Sequence, residues 1–329
     1  MPDQLAETAP YISVVIPNWN GARYLAGCLD SLRAQSFRDF EVLVVDNGST
    51  DGSDRMVQER YPEFRLVPLP VNQGFTVAVN VGIRESRGEI VALLNNDAEA
   101  REDWLETLAG AGRSHPESDF FACKILLFDQ RDTIHSAADF YSTDGLPGNR
   151  GVWQKDTGQY DREEFVLLAC GAASGWRKSL FEKVGLLDES LFMYCEDVDL
   201  GLRAQLMGHR CLYLPQSVVY HRLSATGGGP LASYYCGRNL ITVAVKNLPS
   251  SILRRSWPSI VRSQAVFAVN SICHWREKAA RARLRGQMAG LLGIFGRLGQ
   301  RRGIQQARRV PDSYLLSLLR EPESSIERS

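Results

Sequence analysis

Three acid-bearing stretches and one histidine stand where side chains can do chemistry. The first is Leu94-Asn95-Asn96-Asp97-Ala98-Glu99, in which two amides and two acids close the apolar run of residues 90–94. A polar cluster at the C-terminal end of a buried strand lies where open α/β sheets take up ligands. Asn and Asp also close strands simply as turn formers, so this stretch alone leaves both readings standing. The second is Asp46-Asn47-Gly48-Ser49-Thr50-Asp51-Gly52-Ser53, which follows another apolar run. The third, Glu196-Asp197-Val198-Asp199, opens a helix. Acids there complement the helix dipole by about 0.3–1 kcal/mol each, which is itself a reason for them. His221 follows a β-branched run and is placed either to contact a metal or phosphate or to make a turn.

The elements that position these residues are legible from periodicity. Residues 11–16, 40–45, 66–69 and 90–94 read as strands, and residues 22–35, 54–60 and 74–84 as the helices between them. Leu25, Leu29 and Leu32 share one side of the first helix. Strand and helix alternating through about ninety residues predict an α/β fold with a right-handed, doubly wound, mostly parallel sheet. The polar loops after its strands then open toward one edge. Residues 104–112 continue as helix, 120–128 and 165–169 as strands, and 211–214 and 217–220 as two short strands around Pro215. Residues 129–160, rich in Gly, Asp and Thr, read as a long excursion with short hairpins, either shaping a pocket or lying on the surface. Residues 171–175 read as a flexible loop leading to a helix at 179–184. Arg177 and Lys178 beside it are candidates to meet a phosphate, or to face solvent.

No Gly-x-Gly-x-x-Gly follows the first strand, where Pro17-Asn18-Trp19-Asn20-Gly21 stands, and no Gly-Lys-Ser phosphate loop occurs. The phosphates of a nucleotide ligand would need another counter-charge, and a divalent cation held by acids is the simplest supply.

A chain of 329 residues with 44% hydrophobic content can bury one large core or two smaller ones. Its 38 basic and 38 acidic residues cancel, but unevenly: residues 251–311 carry thirteen Arg and Lys against the single acid Glu277. The seven cysteines show no Cys-x-x-Cys spacing, which argues against a zinc site or a disulfide framework and for a reducing compartment. The N-terminus lacks the basic-then-apolar pattern of a signal peptide, and no stretch has the length and apolarity of a membrane span. From Leu231 a helical region begins, with breaks expected near Pro249 and Pro258. Residues 286–299 carry Met288, Leu291, Leu292, Ile294, Phe295 and Leu298 between arginines. Such a helix suits a membrane interface with anionic headgroups, or a hairpin packed on the rest. Residues 321–329 are too polar to pack.

Four features in order, Pro17-Asn18-Trp19-Asn20, the 44–52 loop, Leu94-Asn95-Asn96-Asp97 and Glu196-Asp197 with Asp199, closely resemble the inverting family 2 glycosyltransferases, in particular the bacterial rhamnosyltransferase-like branch of cell-surface polysaccharide synthesis. The similarity runs from about Ile12 to Asn239. It implies a GT-A type nucleotide-sugar-binding fold with a C-terminal helical extension, divided as a polar leader 1–10, a catalytic unit 11–230 (nucleotide part 11–100, acceptor part 101–230), a basic helical region 231–318 and a disordered tail 319–329. It implies that Pro17, Trp19, Asn20, Asp46, Asn47, Asn72, Gly74, Asn95, Asn96 and Arg177 surround the nucleotide sugar, Trp19 near the base and Asp46 on the base edge. Asp97 matches the last acid of the family's Asp-x-Asp metal motif, with Asn95 where the first acid often stands, and His221 matches a residue that completes the metal and diphosphate site in some relatives. Asp197 matches the general base, with Glu196 beside it. Arg238 and Asn239 match a recurring pair to which the resemblance assigns no role.

The implied chemistry is coherent. Mg²⁺ or Mn²⁺ would offset the charge of a leaving diphosphate, and one carboxylate would deprotonate the acceptor hydroxyl in a single displacement. The implied partners are a nucleoside diphosphate sugar, dTDP-rhamnose by branch resemblance or else a UDP- or GDP-hexose, and a saccharide acceptor, free or lipid-linked. The implied location is cytoplasmic, on the inner face of the cytoplasmic membrane. A two-carboxylate hydrolase would leave the Asp46 loop and basic tail without use, and a silent scaffold would not need these acids. Nucleic-acid binding is disfavoured because the arginines alternate with Leu, Ile and Phe.

Overall fold

The computed structural model describes residues 9–222 and 228–322. Most of the expected leader and tail, and residues 223–227 of the loop after His221, lie outside them.

The N-terminal half alternates as expected: β1 (Ile12–Asn18), α1 (Ala22–Arg33), β2 (Phe40–Asn47), α2 (Ser53–Arg60), β3 (Arg65–Leu69), α3 (Phe75–Glu85) and β4 (Ile90–Leu94). These strands run parallel in the order β3-β2-β1-β4. Every residue of β1 and β4 is buried, because side chains alternate between two covered faces. Ile12, Val14 and Ile16 meet Leu25, Leu29 and Val57 of α1 and α2, whereas Val15 meets Ala78, Val79 and Ile83 of α3.

The chain continues through β5 (Ala98–Ala100), α4 (Trp104–Ser114), β6 (Phe120–Leu127), β7 (Ile134–Ala137), β8 (Asp139–Tyr141), β9 (Pro147–Asn149), β10 (Glu164–Val166), β11 (Ala173–Arg177), α5 (Lys178–Val184), α6 (Glu196–Leu206) and β12 (Cys211–His221). The full order is β10-β12-β6-β11-β4-β1-β2-β3, with β5 on β12 and β7 on β6. The excursion does form short hairpins, β8 with β9 and β7 beside β6.

Two expectations fail here. Residues 173–177 are no loop but a central strand, paired antiparallel to both β4 and β6, with Trp176 fully buried and stacked 4.6 Å from Phe120. Small residues there permit close strand packing rather than motion. The expected pair of strands around Pro215 is one strand whose register shifts between Leu214 and Val218; an irregularity is where a residue lacking N–H fits a sheet.

The C-terminal helices are α7 (Gly229–Asn247), α8 (Ser250–Cys273), α9 (Lys278–Leu292), α10 (Ile294–Ala307) and α11 (Asp312–Leu318). Val243, Ala244 and Leu248 of α7 and its C-terminal edge bury against Val198, Leu202 and Leu206 of α6. α9 lies so close on α7 that a Cβ on Gly286 would stand 2.0 Å from Tyr234 O. Pro249 ends α7, but Pro258 sits inside α8. Pro258 has no N–H to offer the carbonyl of Arg254 one turn earlier, a residue that is exposed. The single helix expected over 286–299 is split at Gly293. The start of the tail is also packed: Leu319 is buried, and Arg320 exchanges backbone hydrogen bonds with Tyr141 and Thr143 at 3.0 and 2.9 Å.

Candidate active site

A cavity of ≈ 390 Å³ opens at the C-terminal ends of β1, β2 and β4. One wall comes from the turn after β4. Ala98 N–H closes that turn on Asn95 O at 3.1 Å, and β5 then pairs with the end of β12, setting His221 opposite Ala98. Asp97 and His221, 124 positions apart, are thereby joined with Nε2 3.1 Å from Oδ1. His135 of β7 stacks on His221, ring centroids 5.0 Å apart, with the two Nδ1 atoms at 3.3 Å. Only one of those nitrogens can carry a proton. Burial, then the neighbouring His221, pushes His135 down to about 3, so it is a neutral imidazole.

Beside this pair, the buried Oδ1 of Asn95 has no hydrogen-bond partner among the described residues. An orphaned amide oxygen, a carboxylate and an imidazole form an oxygen-rich donor set that suits Mg²⁺ or Mn²⁺. The trio Asp139, Cys170 and Asp197 also brings its donor atoms within 4.8 Å of one another. It fits such a cation poorly, because burial first, and then Asp139, holds the Cys170 thiol protonated.

The wall formed by the residues expected around the nucleotide is built on a buried relay. Asn96 Nδ2 donates to Asn18 Oδ1 at 2.8 Å, and Asn18 Nδ2 donates to Asp46 Oδ1 at 2.9 Å. Asp46 Oδ2 accepts from Ser49 N–H at 3.0 Å. Pro17, Trp19, Asn47 and Asn72 line the cavity. Trp19 keeps 40% exposure, and Asn47 Nδ2 bridges Asn72 Oδ1 and Gly74 O, both at 3.0 Å.

Four of the residues expected around the nucleotide sugar do not line the cavity. Asp46 is fixed by the relay, one hydrogen bond to each oxygen, and does not line the cavity. Asn20 is exposed and ties the 18–20 and 49–50 loops together through Thr50 N–H at 2.8 Å. Gly74 supports the wall from behind; a Cβ there would stand 2.6 Å from the Phe192 ring. Arg177 is at the wrong end of the sheet. It pairs with Ile90 where β4 begins, and its guanidinium is held by the carbonyls of Ser118, Gly112 and His115 and by Glu89.

The opposite wall carries Glu196 and Asp197 at the start of α6. Before them Phe192, Tyr194 and Cys195 all have φ of 65°, a conformation that costs non-glycine residues about 1–3 kcal/mol each. α7 holds this segment in place. Asn239, fully buried, donates through Nδ2 to the carbonyls of Leu191, Met193 and Tyr194 at 3.0, 2.8 and 2.8 Å. Arg238 donates to Ser190 O and Leu191 O at 2.7 and 2.8 Å. These contacts give the Arg238–Asn239 pair a place in the molecule that its sequence left open.

Asp197 is oriented by two backbone donors, Gly171 N–H to Oδ2 at 2.8 Å and Val198 N–H to Oδ1 at 2.7 Å. Burial raises its pKa. Glu196 is pushed up to about 8 by burial and then by Asp197, and its Oε2 has no partner among the described residues. Asp139 of β8 is pushed up to about 7 by the same two causes, while accepting from Ser136 Oγ and Asn149 Nδ2 at 2.6 and 2.7 Å. Asp199 faces away and anchors the helix through Arg203, Lys246 and Asn247.

Sequence reasoning missed His135, Asn149, Phe192 and Tyr194, all lining the cavity, and Asp139 behind them. For His135, Asp139 and Asn149 the hint was a polar excursion long enough to fold back over the sheet, and for Phe192 and Tyr194 it was their place just before Glu196 and Asp197.

Known proteins with this architecture accord with the geometry. The sequence profile of the family described as Glycosyl transferase family 2 matches residues 13–185. The N-acetylglucosaminyl-diphospho-decaprenol L-rhamnosyltransferase of Mycobacterium tuberculosis is 30% identical over 245 residues, covering 67% of this chain and 78% of that protein. The O-antigen biosynthesis protein RfbC of Myxococcus xanthus is 29% identical over 228 residues, 66% of this chain and 18% of that protein. Among solved structures, S. aureus TarS 1-349 aligns with TM-score 0.54 at 19% identity, over 86% of this chain and 91% of that one. The mannosyltransferase PcManGT of Pyrobaculum calidifontis, in complex with GDP-Man and Mn2+, aligns with TM-score 0.52 at 19% identity, over 95% and 84%. The sheet is thus the GT-A type expected from the motifs, and the chain is a glycosyltransferase that belongs to family 2.

Proposed function

We propose that the chain transfers a sugar from a nucleoside diphosphate sugar, dTDP-rhamnose, to a saccharide carried on a polyprenyl diphosphate, with inversion, at the inner face of the cytoplasmic membrane. The observation that carries this reading is one cavity with two unlike walls: Asp97 with His221 and the orphaned Asn95 Oδ1 on one side, and Asp197 aimed by Gly171 on the other. In this reading residues 11–230 perform the reaction, residues 231–318 support it and face the lipid, and residues 319–329 add nothing to the chemistry.

Pro17, Trp19, Asn47 and Asn72 hold the nucleoside, and Asn95, Asp97 and His221 hold Mg²⁺ or Mn²⁺. The cation supplies counter-charge to the leaving diphosphate. Asp197 takes the acceptor hydroxyl proton while that oxygen bonds the anomeric carbon and the bond to the diphosphate breaks. Burial makes its carboxylate a stronger base than an exposed aspartate, yet two N–H donors keep it oriented. Glu196, protonated near neutrality, presents a donor to an acceptor hydroxyl. The choice of rhamnose leans on the name of the mycobacterial relative and on the motif order in residues 17–199.

A donor panel of dTDP-rhamnose, UDP- and GDP-hexoses, with Mg²⁺ or Mn²⁺ and a short polyprenyl-diphosphate saccharide, tests it by release of nucleoside diphosphate and mass of the product. Transfer from dTDP-rhamnose alone is expected. Turnover of another donor with none from dTDP-rhamnose overturns the donor choice.

A further inference from the structure

We infer that α8 and the α9–α10 junction form a face that docks on an anionic lipid bilayer; the inference deepens the lipid-linked acceptor reading and rests on it for its purpose. Among the described residues, fifteen large hydrophobic side chains are exposed, and eleven of them lie between Trp257 and Leu298. Such concentration is not the single scatter normal on a surface. On α8 (Ser250–Cys273), Trp257, Val261 and Ile272 fall within about 60° of one another at the helical repeat, Val269 and Val266 follow at about 120° and about 180° from Trp257, and exposed Trp275 stands in the turn just after the helix. The face packed inward, Ile252, Ser256 and Ser271, lies on the other side. Leu291, Leu292 and Phe295, the last 82% exposed, cap the turn between α9 and α10.

Charge decides what covers this face. Residues 251–311 carry thirteen Arg and Lys and one acid, and Arg254, Arg262 and Arg276 are exposed on α8 and the turn after it, beside the apolar stripe. Long cationic side chains around an apolar stripe reach headgroup phosphates while their stems stay in the acyl boundary. A second copy of the same face would set like charges together. A nucleic acid would use the arginines but not the Val, Ile and Leu side chains. Among the described residues no helix is long and apolar enough to cross a membrane, so the face lies on the bilayer rather than through it. The link to the reaction is short: Leu231, half-exposed at the start of α7, lines the cavity, and α9 packs along α7.

The test is co-flotation of the full chain with phosphatidylcholine vesicles, with and without phosphatidylglycerol, at low and high salt. Binding to the anionic vesicles that weakens with salt is expected. The triple variants Val266→Ser/Val269→Ser/Ile272→Ser and Leu291→Ser/Leu292→Ser/Phe295→Ser should each lower partitioning on the order of 100-fold. Neither should change the thermal midpoint or transfer to a short-chain, water-soluble acceptor. Wild-type chain that ignores anionic vesicles, variants that bind as wild type does, or variants that only dissociate a dimer in sedimentation would each overturn the docking face. Absence of transfer to the soluble acceptor, with vesicle binding intact, would instead strike the transferase reading and leave the face standing.

Discussion

Asn239 donates its amide to the carbonyl oxygen of Tyr194 at 2.8 Å across 45 positions of sequence, and so a residue of the C-terminal helices holds the strained backbone that presents Glu196 and Asp197. Three carbonyls share the two hydrogens of that single nitrogen. The wall proposed to carry the base is therefore completed by α7, well beyond residue 185, where the family profile match ends.

Asn239→Ala should lower kcat strongly while leaving the donor KM near wild type, since the nucleotide side does not touch α7's amide. Stability should fall by about 2–4 kcal/mol, from buried carbonyls left unpaired. Denaturant unfolding and initial rates check both. A destabilised variant with wild-type kcat would mean that the clamp serves folding alone.

Asp197→Asn should cut turnover by about 10²–10⁴-fold with donor binding retained. Gly171→Ala approaches the same point sterically, because its Cβ would stand 2.9 Å from Asp197 Oδ2. It should lower kcat by roughly tenfold or more. Near-normal rates in the first variant would remove Asp197 as the base.

Chelation should abolish transfer, and added Mn²⁺ or Mg²⁺ should restore it. Asp97→Ala and His221→Ala should weaken cation-dependent donor binding in calorimetry. His135→Phe keeps the stacked ring but removes the nitrogen facing His221, and should weaken that binding on the order of 10- to 100-fold. Donor affinity equal with and without chelator in the wild type would contradict all three.

Stability should fall as pH rises. Glu196 and Asp139 titrate at about 8 and about 7 in the folded chain, against about 4 when unfolded. Acids raised on folding bind more protons folded than unfolded above about pH 4, so their contribution is complete below that value and is lost as pH climbs through about 7 to 8. The thermal midpoint should therefore decline from about pH 5 to about pH 8, and Glu196→Gln with Asp139→Asn should flatten the slope. An unchanged slope in the double variant would place the dependence elsewhere.

The motifs were legible because each is local. An apolar run ending in Asn95-Asn96-Asp97 announces a strand and its ligand edge whatever surrounds it, and helices such as α1 declare their inner face by spacing. Arg177 shows where that reading stops. A basic residue after a glycine-rich stretch looked available to a phosphate, but residues 173–177 insert between β4 and β6 and carry its side chain to the far edge. Asp46 shows the same limit at closer range, its two oxygens each holding a hydrogen bond, from Asn18 and from Ser49, that no local pattern announced.

By itself the amino-acid order determined the alternating sheet, the family, and the acids at Asp97 and Asp197, since these depend on patterns within a few residues. Only the tertiary structure decided that Asp97 meets His221, that His135 backs it, that Asn239 braces the segment before Asp197, and that the apolar side chains of α8 face outward. Each of those depends on pairing between segments far apart in the chain, which is settled by packing of whole elements and leaves no periodic trace in either partner.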